Sequence, residues 1–483
     1  MKPKRSKKIH RLAGLAAIIS APCYVTTARA QNVSPEDVQA LVRRINELEQ
    51  KVKTLEQQHD EEAGVAATNG AGSFSRTNFP TVLLGANGLI VRSPDTNFVM
   101  IAHGYVQAEG RFYEGAKTTP DEFLFRRVRP IVEGTVWQDY DYRLMLDVGS
   151  GNTAKSTVYN NAILDDAYVN ARFWPEAQFQ VGKYKAPIGL ERLQSTADLM
   201  FVETGFATEL TPNYDLGAEI HNSFFNEPIG YSIGIFNGAT DGGSDDADAD
   251  SGKDVEGRIF AQPFLKTGIK PLQHFGFGVA GSVGDHYGSL PSYTTMGQQT
   301  FFSYASGVTA DGQQYRVDPQ AYYYWGPFGL EGEYVLSSQA VAGTIAGTPR
   351  VERFNNTAWQ LEGSYFLTGE DNSFKYTSLQ HVTPNHPLRF GEYGWGAFEL
   401  VARVQQMSLD NSIFGKSTAT SFATSASARE ALGWTVGVNW YLNSNVKLNL
   451  DYDSTTFRGG SSATGSATKQ PEHVILSQVQ FMF

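Results

Sequence analysis

The chain has 483 residues, with 50 acidic against 39 basic side chains, 48 Gly, 23 Tyr, 30 Phe and one cysteine, Cys23. Beyond residue 30 no cysteine remains, which excludes disulfides, thiol chemistry and cysteine-bound metal. The acidic surplus excludes bulk attraction for nucleic acid, so no nucleic-acid partner is expected and any anion site must be local.

Residues 1–30 read as a secretory signal. Lys2, Lys4, Arg5, Lys7, Lys8 and Arg11 make a basic head, Leu12 to Ala21 an apolar stretch too short to span a bilayer, and Ala28-Arg29-Ala30 a small-residue cleavage site. Pro22 precedes Cys23 where a lipoprotein signal would carry a small residue, so no lipid anchor is expected. Seven of the 39 basic residues and no acid lie in this segment, leaving 32 basic against 50 acidic, a formal charge of −18.

Residues 31–60 switch to a helical pattern. Ser34-Pro35-Glu36-Asp37 has the cap, first-turn proline and acid of a helix start. Val38, Leu41, Ile45, Leu48, Val52 and Leu55 then recur at alternating spacings of three and four, the seam of a coiled coil. Self-association through that seam predicts a stalk; a single amphipathic helix is the alternative. Residues 61–76, rich in Ala, Gly, Ser, Thr and Asn, read as a flexible linker.

From Thr77 to Phe483 the period becomes two. Phe483, Phe481 and Val479 share one face of the last strand, with Gln480 and Gln478 on the other. Just upstream, Val446, Leu448, Leu450 and Tyr452 oppose Lys447, Asn449, Asp451 and Asp453. Sixteen strands are predicted, beginning near Asn97, Glu122, Tyr140, Asn161, Glu176, Tyr214, Ile229, Lys253, Leu272, Gln313, Pro327, Val351, Tyr393, Glu430, Asn445 and Gln470. No apolar run approaches a membrane helix, yet each strand carries one oily face. That is the signature of an all-β protein, a transmembrane antiparallel β-barrel of about 16 strands, preceded by the short N-terminal coiled-coil helix. A soluble sandwich would need its inward residues apolar, and here Lys, Asp, Asn, Gln and Arg occupy them strand after strand. A sixteen-stranded barrel is wide enough to hold an aqueous lumen.

Candidate functional residues follow from alternation. In Glu122–Pro130, Arg127 and Arg129 share one face, expected in the lumen, where fixed donors can replace part of an anion's hydration shell. Arg126 falls on the other face, where a basic girdle meeting lipid phosphates is the alternative. Asp166, with Tyr168, Asn170 and Arg172, opposes Asp165, Ala167, Val169 and Ala171; it reads as a lumen carboxylate able to order nearby arginines, with plain wall polarity as the alternative. Lys183 and Lys185 end a strand and open a long connection, Ala186 to Asn213, which suits a loop folded back into the pore, with a surface excursion as the alternative. The acidic run from Asp245 to Asp250 departs from a calcium loop in its glycine and its twelfth position, and reads as a solvated loop. No catalytic motif occurs in a fitting context, so no enzyme, cofactor or metal site is expected.

The residues also carry a family resemblance. Gly104-Tyr-Val-Gln107, Phe125-Arg-Arg-Val-Arg-Pro130, Asp166-Ala-Tyr168, Gly182-Lys-Tyr-Lys-Ala-Pro-Ile-Gly-Leu-Glu191 and Gly257-Arg-Ile-Phe260 stand in order. Gly326-Pro-Phe328, Leu367-Thr-Gly-Glu370, Gly396-Ala-Phe-Glu399 with Arg403, and Asn439-Trp-Tyr441 follow. Together they resemble the phosphate-selective porin family. The resemblance implies a homotrimer of sixteen-stranded barrels in the Gram-negative outer membrane, passing small anions such as phosphate or polyphosphate through an arginine-lined constriction. Arg126, Arg127, Arg129, Asp166, Lys183 and Lys185 inherit the pore roles. Outer-membrane lipid and lipopolysaccharide would surround the wall, and the strand ending at Phe483 would engage the barrel-assembly machinery. Two departures bear on selectivity: Thr204 follows Phe201-Val-Glu where the family often carries arginine, and Tyr214 replaces a second arginine in Pro212-Asn-Tyr214-Asp-Leu-Gly217. A weakly selective general-diffusion porin therefore stays open, as does a structural or adhesive barrel tethered to the cell wall by its coiled coil.

Overall fold

The computed structural model describes residues 79–483 apart from 116–118, 150–162, 175, 225–227, 247–249, 373, 376–377, 380, 416 and 460–468. The signal, the Val38–Leu55 seam and the linker lie outside the described residues.

Sixteen antiparallel strands form the wall. They are β1 Phe98–Tyr113, β2 Glu122–Val136, β3 Tyr140–Asp147, β4 Ile163–Trp174, β5 Ala177–Lys185, β6 Tyr214–Phe224, β7 Ile229–Phe236 and β8 Asp254–Ala261. The second half comprises β9 Phe275–Gly288, β10 Thr309–Trp325, β11 Phe328–Ile345, β12 Thr348–Phe366, β13 Ala397–Ser408, β14 Glu430–Asn443, β15 Val446–Arg458 and β16 Glu472–Met482. Each starts within four residues of its predicted position. β16 returns to β1, pairing Met482 with Tyr105 and Val474 with Tyr113. Gly104 and Phe483 exchange two backbone hydrogen bonds of 2.9 and 3.0 Å at the seam. The ring is closed, so no strand edge faces lipid.

A hairpin ahead of the barrel, Thr81–Gly85 and Gly88–Arg92, was not foreseen. Its second strand pairs with β1 from Leu89↔Ala102 to Arg92↔Val99, the part of β1 that runs past the end of β16.

Strand polarity is inside-out. In β8, Val255 and Ile259 are about half exposed (47% and 51%), while Asp254, Glu256 and Arg258 between and beside them are buried. Exposed Trp137, Tyr140, Trp174, Trp325 and Phe328 cluster at the ends of strands joined by short turns, forming an aromatic belt at that rim. The opposite end carries long connections, and three of them fold inward. Phe206 and Leu210 of residues 186–213, Tyr293, Phe301 and Phe302 of residues 289–308, and Ile413 and Phe422 of residues 409–429 share one buried cluster. Val335, Val341, Phe354 and Ala358, inward-facing on β11 and β12, belong to it as well. One connection at the turn end is also long: residues 367–396 bring Leu379 against Leu190, Met200 and Phe201 of the inward segment.

The lipid face predicts the fold's sensitivity. Ile233→Arg, at mid-strand on β7, is expected to cost about 2–4 kcal/mol of barrel stability in a bilayer, against less than about 1.5 kcal/mol for Ile233→Leu. Urea unfolding in liposomes measures both; equal midpoints for the two variants would contradict the assigned face.

Candidate functional site

Residues 186–213 fold into the lumen, and their peptide groups need partners there. Gly189 makes the entry with φ 90°, a conformation that side chains strain to adopt. It opens the short helix α1, Leu190–Leu193, with no side-chain cap of its own. Wall carboxylates serve instead: Gly189 N donates to Asp318 (2.9 Å), and Leu190 N and Glu191 N to Glu333 (2.6 and 3.2 Å). Further along, Val202 N donates to Asp451 (2.7 Å), Phe206 N to Gln405 Oε1 (2.7 Å) and Ala207 N to Gln360 Oε1 (3.1 Å). The loop's carbonyls accept from Gln480 (at Ala197), Lys447 (at Leu199), Asn439 (at Met200) and Arg403 (at Glu203). A Cβ at Gly205 would lie 2.1 Å from Gln360 Oε1, so the chain passes too close to the wall for a side chain. These bonds run to β10–β16, and others to β1 and β2, so the loop leans on one side of the barrel.

The arginine strand meets this loop. β2 carries a bulge: Gln107 pairs with Arg127 and Ala108 with Phe125, leaving Arg126 as the extra residue. Both Arg126 and Arg127 therefore turn inward, between lipid-facing Phe125 and Val128, and the girdle alternative for Arg126 is overturned. Glu203 of the loop receives Arg126 Nε (2.5 Å), Arg111 Nη2 (3.1 Å) and Arg127 Nη2 (3.5 Å). Burial alone would push the Glu203 carboxyl up; the Arg126, Arg127 and Arg111 guanidiniums outweigh it and hold it well below the usual carboxylate range. Arg127 also donates to Gln107 Oε1 (2.9 Å).

A second bulge lies in β4. Met145 pairs with Asp166 and Leu146 with Leu164, so Asp165 is the extra residue. The lipid-side placement of Asp165 is corrected: it is buried and bound to Arg129 Nη2 at 2.6 Å. Arg129 also meets Asp147 (2.9 Å), the Thr196 hydroxyl (2.9 Å) and the Tyr214 hydroxyl (3.3 Å). Asp166 does order an arginine from the lumen, but it is Arg143 (2.9 Å), which also pairs with Glu133. Lys183 is buried and pairs with Asp246 of the connection after β7, apart from the arginines. Lys185 lies 5.7 Å over the Tyr214 ring and donates to the Gln194 carbonyl (2.5 Å). Thr204 hydrogen-bonds Thr208 (3.0 Å).

The arginines are thus matched by carboxylates. Lys185 and Arg192 differ: they are held by backbone and hydroxyl oxygens, Arg192 by the Thr208 carbonyl and by Thr211 Oγ1 (3.4 Å), with no ion pair to either among the described residues. Glu203, Arg111, Asp165 and Arg143 were missed from sequence. Adjacent charges in a strand, Arg126-Arg127 and Asp165-Asp166, were the available signal for the bulges. In the acidic connection, Asp250 accepts from Gly252 N and Tyr287 N (2.6 and 2.8 Å), and no metal-binding group occurs among the described residues.

A closed sixteen-stranded barrel with an inward loop braced on an arginine strand is porin architecture, and the comparisons agree. The phosphate-selective porin O and P family matches residues 102–483. The chain belongs to that family. Porin O of Pseudomonas aeruginosa is 24% identical over 420 residues, 80% of this chain and 90% of its own. The outer membrane channel DcaP of Acinetobacter baumannii has the same barrel fold, with TM-score 0.50 and 9% identity over 80% of this chain and 98% of that one. An anion-selective porin from Comamonas acidovorans is similar at TM-score 0.45 and 10% identity, covering 80% of this chain and 99% of its own. This porin is a channel of the Gram-negative outer membrane.

Two outcomes follow for the site. Glu203→Gln leaves Arg111, Arg126 and Arg127 facing a neutral amide, at a cost of about 3–5 kcal/mol typical of breaking a buried pair. It is expected to loosen the loop, raise single-channel conductance and increase anion preference; an unchanged reversal potential would deny Glu203 its neutralising part. His381 of residues 367–396 bridges Asp198 of the loop (3.1 Å) and the Ser444 carbonyl (2.6 Å). The Asp198 bond raises its pKa, against burial and nearby Lys447. A raised pKa means the bridge is intact at acid pH and lost as pH rises through the folded value. Conductance is expected to be higher at pH 8.5 than at pH 6, a difference that His381→Gln removes.

Proposed function

We propose that this porin is a passive channel for small anions, phosphate among them, working as a homotrimer. The observation that carries the reading is the placement of Lys185, at the end of β5, and Arg192, on the inward loop, basic groups bound by carbonyl and hydroxyl oxygens instead of carboxylates. Such cations keep their field for a passing ion, whereas a guanidinium already paired has spent most of it. Arg127, Arg129 and Asp166 act beside them, setting the balance of charge along the wall, and Arg126 holds the loop. The family's description supports phosphate as a substrate, and the matched carboxylates favour a second reading, a porin of weak selectivity. Residues 1–30 are proposed to direct export, and residues 31–60 to form a coiled-coil stalk that supports the trimer.

Reversal potential in a planar bilayer under a chloride gradient, with phosphate then added, tests the reading. Anion preference with phosphate reducing chloride current is expected; cation preference would overturn it. Arg127→Gln with Arg129→Gln leaves Glu203, Asp147 and Asp165 short of their cations, so the double variant is expected to shift the reversal potential toward cations. No shift in a conducting variant would remove these two residues from the selectivity mechanism.

A further inference from the structure

On the side of the lumen away from the loop's anchors lies a cavity of about 360 Å³, between the inward loop and the wall strands β5–β8. That volume falls within the ~300–1,000 Å³ of small-molecule sites. Its lining is sorted by chemistry. Lys185 and Arg258 bring positive charge, Phe260, Leu193 and Pro187 apolar surface, and Glu219 an acceptor.

Both cations line the cavity together with Phe260, Leu193 and Pro187. Arg258 sits 4.6 Å over the Phe260 ring and donates twice to Gln320 Oε1 (2.9 and 2.6 Å), toward β10. Lys185 is tethered only at the Gln194 carbonyl and the Tyr214 ring among the described contacts. Glu219 Oε2 accepts from the Ser232 hydroxyl (2.5 Å), and the residue lines the cavity. Ser232 stands between Glu219's strand and Arg258, pairing with His221 on one side and Arg258 on the other. Room exists because Ser223, Gly230 and Ser232 put no bulk on this patch of wall.

We infer that this cavity is a binding site for a small organic carboxylate with a planar apolar body and a hydroxyl or amino donor at its far end. This inference rests on the anion-channel reading above and names a substrate class for it. The carboxylate meets Lys185 and Arg258, the body lies against Phe260 and Leu193, and the donor reaches Glu219. A bare phosphate would satisfy the cations and leave both the apolar surface and Glu219 without a partner. A simple alkanoate as short as acetate would do the same. The site therefore discriminates by the body and the donor, which are differences of contact rather than of charge.

The test uses the full-length protein in planar bilayers. Reversal potential in potassium chloride is measured first, and then block of the chloride current by 4-hydroxybenzoate, benzoate, acetate and phosphate. We expect 4-hydroxybenzoate to block at a concentration at least tenfold below acetate, with benzoate between them. Lys185→Gln and Arg258→Gln are each expected to weaken that block tenfold or more, and Phe260→Ala to bring 4-hydroxybenzoate down to acetate's level. A single-channel current of any size in each variant shows that the barrel has folded; Glu219→Gln, which keeps the shape, should erase the advantage of 4-hydroxybenzoate over benzoate. Anion preference without preferential block overturns this inference alone. Cation preference overturns the anion-channel reading, and block that persists in such a channel would keep the site while removing its role in selectivity. Block that survives Lys185→Gln with Arg258→Gln places the ligand elsewhere and overturns the site.

Discussion

In hydrocarbon a peptide N–H or C=O has no solvent to fall back on, and everything in this structure follows from meeting that demand. The ring closes where β16 finds β1, with Phe483 and Gly104 exchanging their backbone bonds at the seam. Closure with sixteen strands leaves a lumen too wide for side chains to fill. A loop folds in, and its own peptide groups then raise the same demand inside the barrel. The inward faces of β10–β16 meet it with Asp318, Glu333, Gln360, Gln405, Asn439 and Asp451. Polar residues on these strands are therefore the receptor of the loop as much as the lining of a pore.

The arginine strand belongs to the same logic. Arg111, Arg126 and Arg127 converge on Glu203 because a buried carboxylate brought in by the loop needs compensation, and guanidiniums supply charge and directed donors together. Matching carboxylates follow: Asp147 and Asp165 on Arg129, Asp166 and Glu133 on Arg143. An arginine count from the sequence consequently overstates the field an ion meets. On the proposed reading, what reaches the open side of the lumen comes from cations held by uncharged oxygens, Lys185 above all, and from the cavity it borders.

Much of this was legible beforehand because β-structure has a period that burial enforces. Val255 and Ile259 must face lipid while Asp254, Glu256 and Arg258 face in, so strand positions and faces could be read off residue by residue. The period fails where the chain inserts an extra residue. Arg126 and Asp165 each sit in a bulge, and each lies on the side that strict alternation denied it. It fails also at the loop end, where Val335, Val341 and Phe354 are apolar and yet face inward, because long connections fold down upon them. Alternation there names a face correctly while its chemistry suggests the wrong solvent.

By itself the sequence determined the barrel, its sixteen strands, the two faces of its wall and the loop that enters it, since each depends on local periodicity and on a lipid solvent that punishes exceptions. Only the tertiary structure decided which charges meet. Glu203 lies 77 residues from Arg126, and Glu191 lies 212 residues from Arg403. Pairing of that kind is set by where a folded loop comes to rest against a closed wall, and no spacing along the chain encodes it.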